Sequence, residues 1–169
     1  MKRKQLTLFL EETEATPIEA IRQQFNPIQY ALIKSHITLC REDELEAWSR
    51  IQYQLQHMEK FEFELQTNGL KRFSEGKGLL IAVKDKEKKF HDLRAFLLKN
   101  GNLTPRAHKA HITLMHPRNS TCTDEKFVAI QKIGLPDRLS IKKISLIEQE
   151  IGKEWRILKE YNLKKKGER

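Results

Sequence analysis

The chain has 169 residues, and 32 Lys and Arg against 23 Asp and Glu give it a formal charge of +9 and a pI near 9.6. With 38% hydrophobic residues, eight Phe, two Trp and three Tyr, it has apolar surface for a core, which excludes a wholly disordered chain; its length fits one domain or two small, intimately packed lobes. The best apolar window, Leu79 to Val83, is far short of the roughly 20 residues of a membrane helix, and the run from Leu6 to Leu10 stops at Glu11, too early for an export signal. Cys40 and Cys122 make neither a disulfide framework nor a C-x-x-C pair, so both are expected to be reduced thiols of a cytoplasmic protein with no membrane partner.

In chain order, Lys4 to Leu10 alternates as a strand does, and Thr16-Pro17-Ile18-Glu19 has the form of a capping box opening a helix that runs to Phe25. Asn26-Pro27 supplies a stop, followed by a short extended piece and a strand over Ser35 to Cys40. Asp43 and Glu46 precede Leu45, Trp48, Ile51, Leu55 and Met58 at helical spacing, which predicts a helix of four turns. Phe61 to Leu65 and Gly78 to Val83 read as strands around a hairpin region at Asn68 to Gly76. Phe90, Leu93 and Leu97 mark a helix that Asn100-Gly101 should end, and Lys109 to Met115 reads as another strand. Thr123 caps a short helix with Phe127, Ile130 and Ile133, and Leu139 to Glu150 with Trp155 to Leu163 form a closing hairpin turning at Gly152. Helices interleaved with strands and hairpins give an α+β class in a single domain over 1–169, with a short basic tail at 164–169.

The chain contains one sharp internal repeat: Lys34-Ser35-His36-Ile37-Thr38-Leu39 and Lys109-Ala110-His111-Ile112-Thr113-Leu114 share five of six positions, 75 residues apart. In a strand, His36 and Thr38 point one way while Ile37 and Leu39 point the other, and the same holds for His111 and Thr113. Two lobes would then face each other across a cleft holding two imidazoles and two hydroxyls. That set suits displacement at phosphorus in a phosphodiester. One histidine deprotonates the attacking oxygen and the other protonates the departing one, both near neutral pH. The threonine hydroxyls donate to the non-bridging oxygens as their charge develops, and the scheme calls for no metal or other cofactor. The positive charge, in part a solvated tail of Lys164, Lys165, Lys166 and Arg169, favours phosphate-bearing ligands such as nucleotides or RNA.

On these two motifs the sequence resembles the two-histidine (2H) phosphoesterases, and among them the branch of 2'-5' RNA ligases and RNA 2',3'-cyclic phosphodiesterases. The resemblance implies a bilobal, pseudo-symmetric fold of two antiparallel-sheet lobes with helices outside and a central groove. It makes His36 and His111 the acid and base and Thr38 and Thr113 the phosphate binders. It implies opening of 2',3'-cyclic phosphates on RNA or nucleotides to a 2'-phosphate; some relatives join 2'-5' linkages at the same site, and a few only bind nucleotides. Many of this branch have proline before the second histidine, where this chain has Ala110, and arginine two positions after the motif's leucine, where it has His116. Those flanks bear on the substrate subclass.

Arg41 and Arg118 are candidates for further phosphate contacts or are solvated surface, and Phe73, between cations, is either a base-stacking residue or a packed strand residue. His108, three positions from His111, would lie on the opposite face of a common strand, which argues against a metal site with His111 and His116. His57 and His91 sit on predicted helices as surface residues, Trp48 and Met58 as core. The expected molecule is a metal-independent, monomeric enzyme acting on a cyclic phosphate of RNA or a nucleotide, the alternatives being a catalytically silent RNA- or nucleotide-binding module or a 2'-5' ligase.

Overall fold

The computed structural model describes residues 1–99 and 107–164; the Asn100-Gly101 helix stop and the tail from Lys165 onward lie outside them. Eight strands form one antiparallel sheet: β1 Lys2–Phe9, β2 His36–Cys40, β3 Phe63–Arg72, β4 Leu79–Lys84, β5 His111–Met115, β6 Arg138–Ile141, β7 Lys143–Glu150 and β8 Arg156–Asn162, in the order β6-β3-β4-β5-β2-β1-β7-β8. The sheet is two four-stranded halves. They meet where β5 lies against β2, with Ile37 opposite Ile112. β6 and β7 belong to different halves, yet only Lys142 separates them. A chain can step between halves so abruptly only if the sheet curls and brings its distant strands together.

Alternation puts Leu6, Leu8, Ile37, Leu39, Ile112 and Leu114 on one face, each fully buried. Ile18 and Ile21 of α1 (Glu12–Phe25), Ile51 and Leu55 of α3 (Trp48–His57), Phe90, Leu93 and Leu97 of α4 (Lys89–Leu98) and Ile130 of α5 (Asp124–Gln131) pack into the same core. Trp48 and Met58 are partly buried against it, and both cysteines are free and buried. No helix among the described residues is long and apolar enough to cross a membrane.

Four local readings change. First, α1 starts at Glu12, with Pro17 inside it. The N–H that proline lacks would have bonded the carbonyl of Thr13, an exposed residue in the first turn where water can serve, while the Thr16 hydroxyl donates to the Glu12 carbonyl at 2.8 Å instead of capping. Glu12 and Glu14 suit the positive helix end. Second, Asn26-Pro27 ends one helix and begins another, α2 (Pro27–Leu32), because proline at the first helical position is as favourable as a proline stop. Third, the predicted four-turn helix divides into a 3₁₀ turn, Glu42–Glu44, and the ten-residue α3. Fourth, β3 continues to Arg72 through a register shift between Thr67 and Leu70, where Gly69 has φ of 81°; the hairpin turns later, around Gly76. The predicted closing hairpin is β7 and β8, with Gly152 at φ 85° in the turn and Leu139 assigned to the separate β6. The Thr123 cap is present, its hydroxyl accepting from the Lys126 N–H at 3.2 Å.

Candidate active site

The β2–β5 pairing fixes the relation of the two motifs. Stepping outward from Ile37 opposite Ile112 brings His36 opposite Thr113 and Thr38 opposite His111. All four side chains leave the sheet on the face away from the core, and each is partly buried. On the flanking strands Phe9 pairs with His36, Thr7 with Thr38, Leu80 with Thr113 and Ala82 with His111. Two rows therefore cross the seam, Phe9-His36-Thr113-Leu80 and Thr7-Thr38-His111-Ala82. The imidazoles are diagonal neighbours whose backbones lie about 7–8 Å apart, a span that suits one phosphoryl group held between two ring nitrogens.

The surroundings of the two histidines match. His36 Nδ1 lies 2.8 Å from the Lys34 carbonyl and His111 Nδ1 lies 2.9 Å from the Lys109 carbonyl. A carbonyl accepts, so each neutral ring carries its proton on Nδ1 and leaves Nε2 as a base; the charged ring presents N–H there as an acid. Each ring also meets a phenylalanine edge-on: Phe9 with His36 at 6.1 Å and 66°, Phe73 with His111 at 6.0 Å and 86°. Gly78 permits the second contact, since a Cβ there would come within 2.7 Å of the Phe73 ring and 2.6 Å of the Met115 carbonyl oxygen. Burial pushes the His36 imidazolium down to about 4 against the support of the Lys34 carbonyl, with Arg22 and His111 pushing the same way. His36 is thus neutral at pH 7.

Two buried ion pairs hold β2 at its ends. Glu19 of α1 takes the Ser35 N–H and pairs with Arg22 at 3.0 Å, while Arg22 donates to the Ile33 carbonyl at 2.7 Å. Arg94 of α4 pairs with Glu44 at 2.7 Å and donates to the Leu39 carbonyl. Burial opposes the Glu44 carboxylate, but Arg94 and the Arg41 N–H hold it below its usual range.

Among the sequence candidates, the structure brings His36, Thr38, His111, Thr113 and Phe73 together. Arg41 is exposed at the start of the 3₁₀ turn, with its N–H on Glu44; Arg118 is exposed in the turn after β5. His108 departs from its reading. β5 begins only at His111, so the rule of opposite faces does not apply, and the two rings lie 5.9 Å apart. His108 Nε2 donates to the Thr38 carbonyl at 2.9 Å across the seam, and its ring leans on Phe90. Burial, with Arg94 nearby, takes it down to about 4. Neither Phe9 nor His108 carries a local sequence signal, because both matter through strand pairing. No group of three or more His, Cys, Asp or Glu among the described residues is placed to share a metal ion. His57 is exposed, its Nδ1 on the Tyr53 carbonyl, and His91 is exposed on α4.

A family model described as the 2'-5' RNA ligase superfamily matches residues 10–152. No curated protein matches the chain. Among solved structures, Escherichia coli LigT in its apo form superposes with a TM-score of 0.70 at 15% identity, covering 97% of this chain and 98% of that one. LigT complexed with 3'-AMP gives 0.68 at 15%, covering 97% and 99%. A structure described as a phosphoesterase gives 0.68 at 13%, covering 98% and 100%. At these identities the likeness is one of fold.

Proposed function

Because the chain belongs to the 2'-5' RNA ligase superfamily, we propose that it is a phosphodiesterase that opens 2',3'-cyclic phosphates at RNA or oligonucleotide ends, leaving a 2'-phosphate without the help of a metal. The observation that carries this reading is the matched pair of imidazoles at one seam, each with Nδ1 on a carbonyl, which leaves Nε2 for proton transfer, on the sheet face that carries the two threonines. Two such groups suffice for both proton transfers. LigT has been crystallised with phosphate, 3'-AMP, NADP+ and ATP, which supports a nucleotide ligand in this fold.

His36, neutral at pH 7, is suited to take the proton of a water attacking phosphorus. As the new P–O bond forms, the bond to the 3'-oxygen breaks, and His111 supplies the proton that leaves a 3'-hydroxyl. Thr38 and Thr113 donate to the non-bridging oxygens while charge builds on them. The ligase reaction would run the same displacement with a 5'-hydroxyl in its partner role.

The test is an RNA oligonucleotide ending in 2',3'-cyclic phosphate, incubated in EDTA with wild type, His36→Ala and His111→Ala, and the phosphate position of the product assigned. Wild type should open the ring to the 2'-phosphate, each single variant should lose about 10²–10⁴-fold in kcat, and the double variant should lose far less than the product of the two. Stoichiometric binding with no turnover would replace this reading with the silent module.

A further inference from the structure

The groove face of β1 continues past Thr7 through Gln5 to Arg3, about 13 Å along the strand at 3.3 Å per residue. Arg3 is held in place: its Nε and Nη2 both donate to Gln149 Oε1, at 2.8 and 2.6 Å, and Gln149 is anchored by its own Nε2 on the Lys153 carbonyl. The guanidinium lies 5.0 Å from the Trp155 ring centre, and among the described residues Nη1 makes no hydrogen bond to another side chain. The turn after β5 brings a second set of donors. The Arg118 N–H donates to His116 Nδ1 at 3.1 Å, so the neutral His116 ring carries its proton on Nε2, and that nitrogen sits 3.5 Å from Arg118 Nη2. Two donors side by side with no acceptor between them leave a place for an oxyanion.

This turn is built as firmly as Arg3. Buried Asn26 accepts the His116 N–H at 2.8 Å and donates to Asn119 Oδ1 at 2.9 Å, Asn119 donates to Gln29, and Ser120 donates to the Phe25 carbonyl. The Arg118 charge reaches Arg3, and the charges of Arg118 and Arg3 both reach His116, lowering the protonation of Arg3 and His116 behind the larger effect of burial. The Glu42 carboxylate supports the Arg3 charge, and among the described residues neither the two arginines nor His116 forms a salt bridge. Two arginines brought together without a paired carboxylate cost stability through self-repulsion and recover it when an anion binds.

We propose that Arg3, His116 and Arg118 form a second phosphate subsite, which takes an internucleotide phosphodiester upstream of the reacting end and makes an oligoribonucleotide the substrate in preference to a single nucleotide. The proposal rests on the reading above that the paired histidines open a cyclic phosphate.

The experiment compares a nucleoside 2',3'-cyclic phosphate, the same nucleotide with a 5'-phosphate, and a trinucleotide with a 5'-hydroxyl, each with wild type, Arg3→Gln and Arg118→Gln. Binding of a tetranucleotide ending in 2'-phosphate is followed in parallel against salt. Wild type should favour the trinucleotide over the nucleoside by about tenfold or more in kcat/KM, through KM, and each variant should remove most of that preference. Each should also lower the slope of log K against log salt by about 0.7, the loss of one single-strand phosphate contact. Equal kcat/KM for trinucleotide and nucleoside, or variants that leave both preference and salt slope intact, would overturn the subsite while leaving the catalytic reading standing. A full gain from the 5'-phosphate alone would overturn the assignment to an internucleotide linkage. Absence of turnover on every substrate, with a salt slope that Arg3→Gln still reduces, would overturn the catalytic reading and keep the subsite.

Discussion

His108 illustrates how one side chain can serve a site without belonging to its motif. A carbonyl accepts and never donates, so the 2.9 Å contact with Thr38 fixes the neutral imidazole as its Nε2–H tautomer and ties the approach to β5 onto the backbone of β2. The same ring stands 5.9 Å from His111 and 6.1 Å from Phe90, bearing on one motif while bonded to the other. Removing it should let Thr38 and His111 drift relative to each other. A net hydrogen bond of about 1 kcal/mol corresponds to several-fold in rate, and with the lost buttress His108→Ala should fall about tenfold in kcat/KM on the cyclic-phosphate substrate. His108→Gln, which retains an N–H donor, should recover most of that loss. Equal defects in the two variants, at equal melting temperature, would show that the ring fills space and does not position the seam.

At the level of elements, β2 is the most heavily braced strand of the site, because Glu19–Arg22 holds its entry and Glu44–Arg94 its exit. Arg94 is 4% exposed, so its charge depends on its partner. Glu44→Gln should cost about 3 kcal/mol in urea unfolding, since it takes the carboxylate from a buried guanidinium. A loss below about 1 kcal/mol would mean that the other partners of the guanidinium, the Leu39 carbonyl among them, satisfy it without the carboxylate. The two motif strands were legible in the sequence because a five-of-six identity over alternating residues says both where the strands are and which way the histidines face. The Thr123 cap and the Gly152 turn were legible for local reasons, a hydroxyl before an N–H and a residue at positive φ. Pro17 and Pro27 misled because proline breaks a helix in its interior yet is tolerated in its first turns, and only the surrounding packing decides which case applies. Phe9, His108 and Arg3 acquire their places from strands paired across the sheet, which no local pattern encodes.

For the whole molecule, the seam between the halves makes stability depend on acid. His36 and His108 both sit there, and burial holds both near 4, whereas in the unfolded chain each titrates near 6.5. Between those values the unfolded state binds more protons than the folded one, so the free energy of unfolding rises with pH and falls as the solution is acidified. Glu44, held below its ordinary carboxylate range, adds a loss of the same sign only at lower pH. The window from pH 6.5 to 5 therefore isolates the histidines. Wild type should lose stability across it with a slope approaching two protons from this pair, to which His116, also lowered by burial, adds in the same sign, and His36→Gln and His108→Gln should each reduce the slope by nearly one, whatever they do to stability at pH 7. Urea titrations at half-unit steps would measure it. An unchanged slope in His108→Gln would place its ring in contact with solvent, and the seam's acid sensitivity would then come from His36, with His116 adding outside the seam; unchanged slopes in both variants would mean that the seam opens to water readily enough to hydrate either imidazolium.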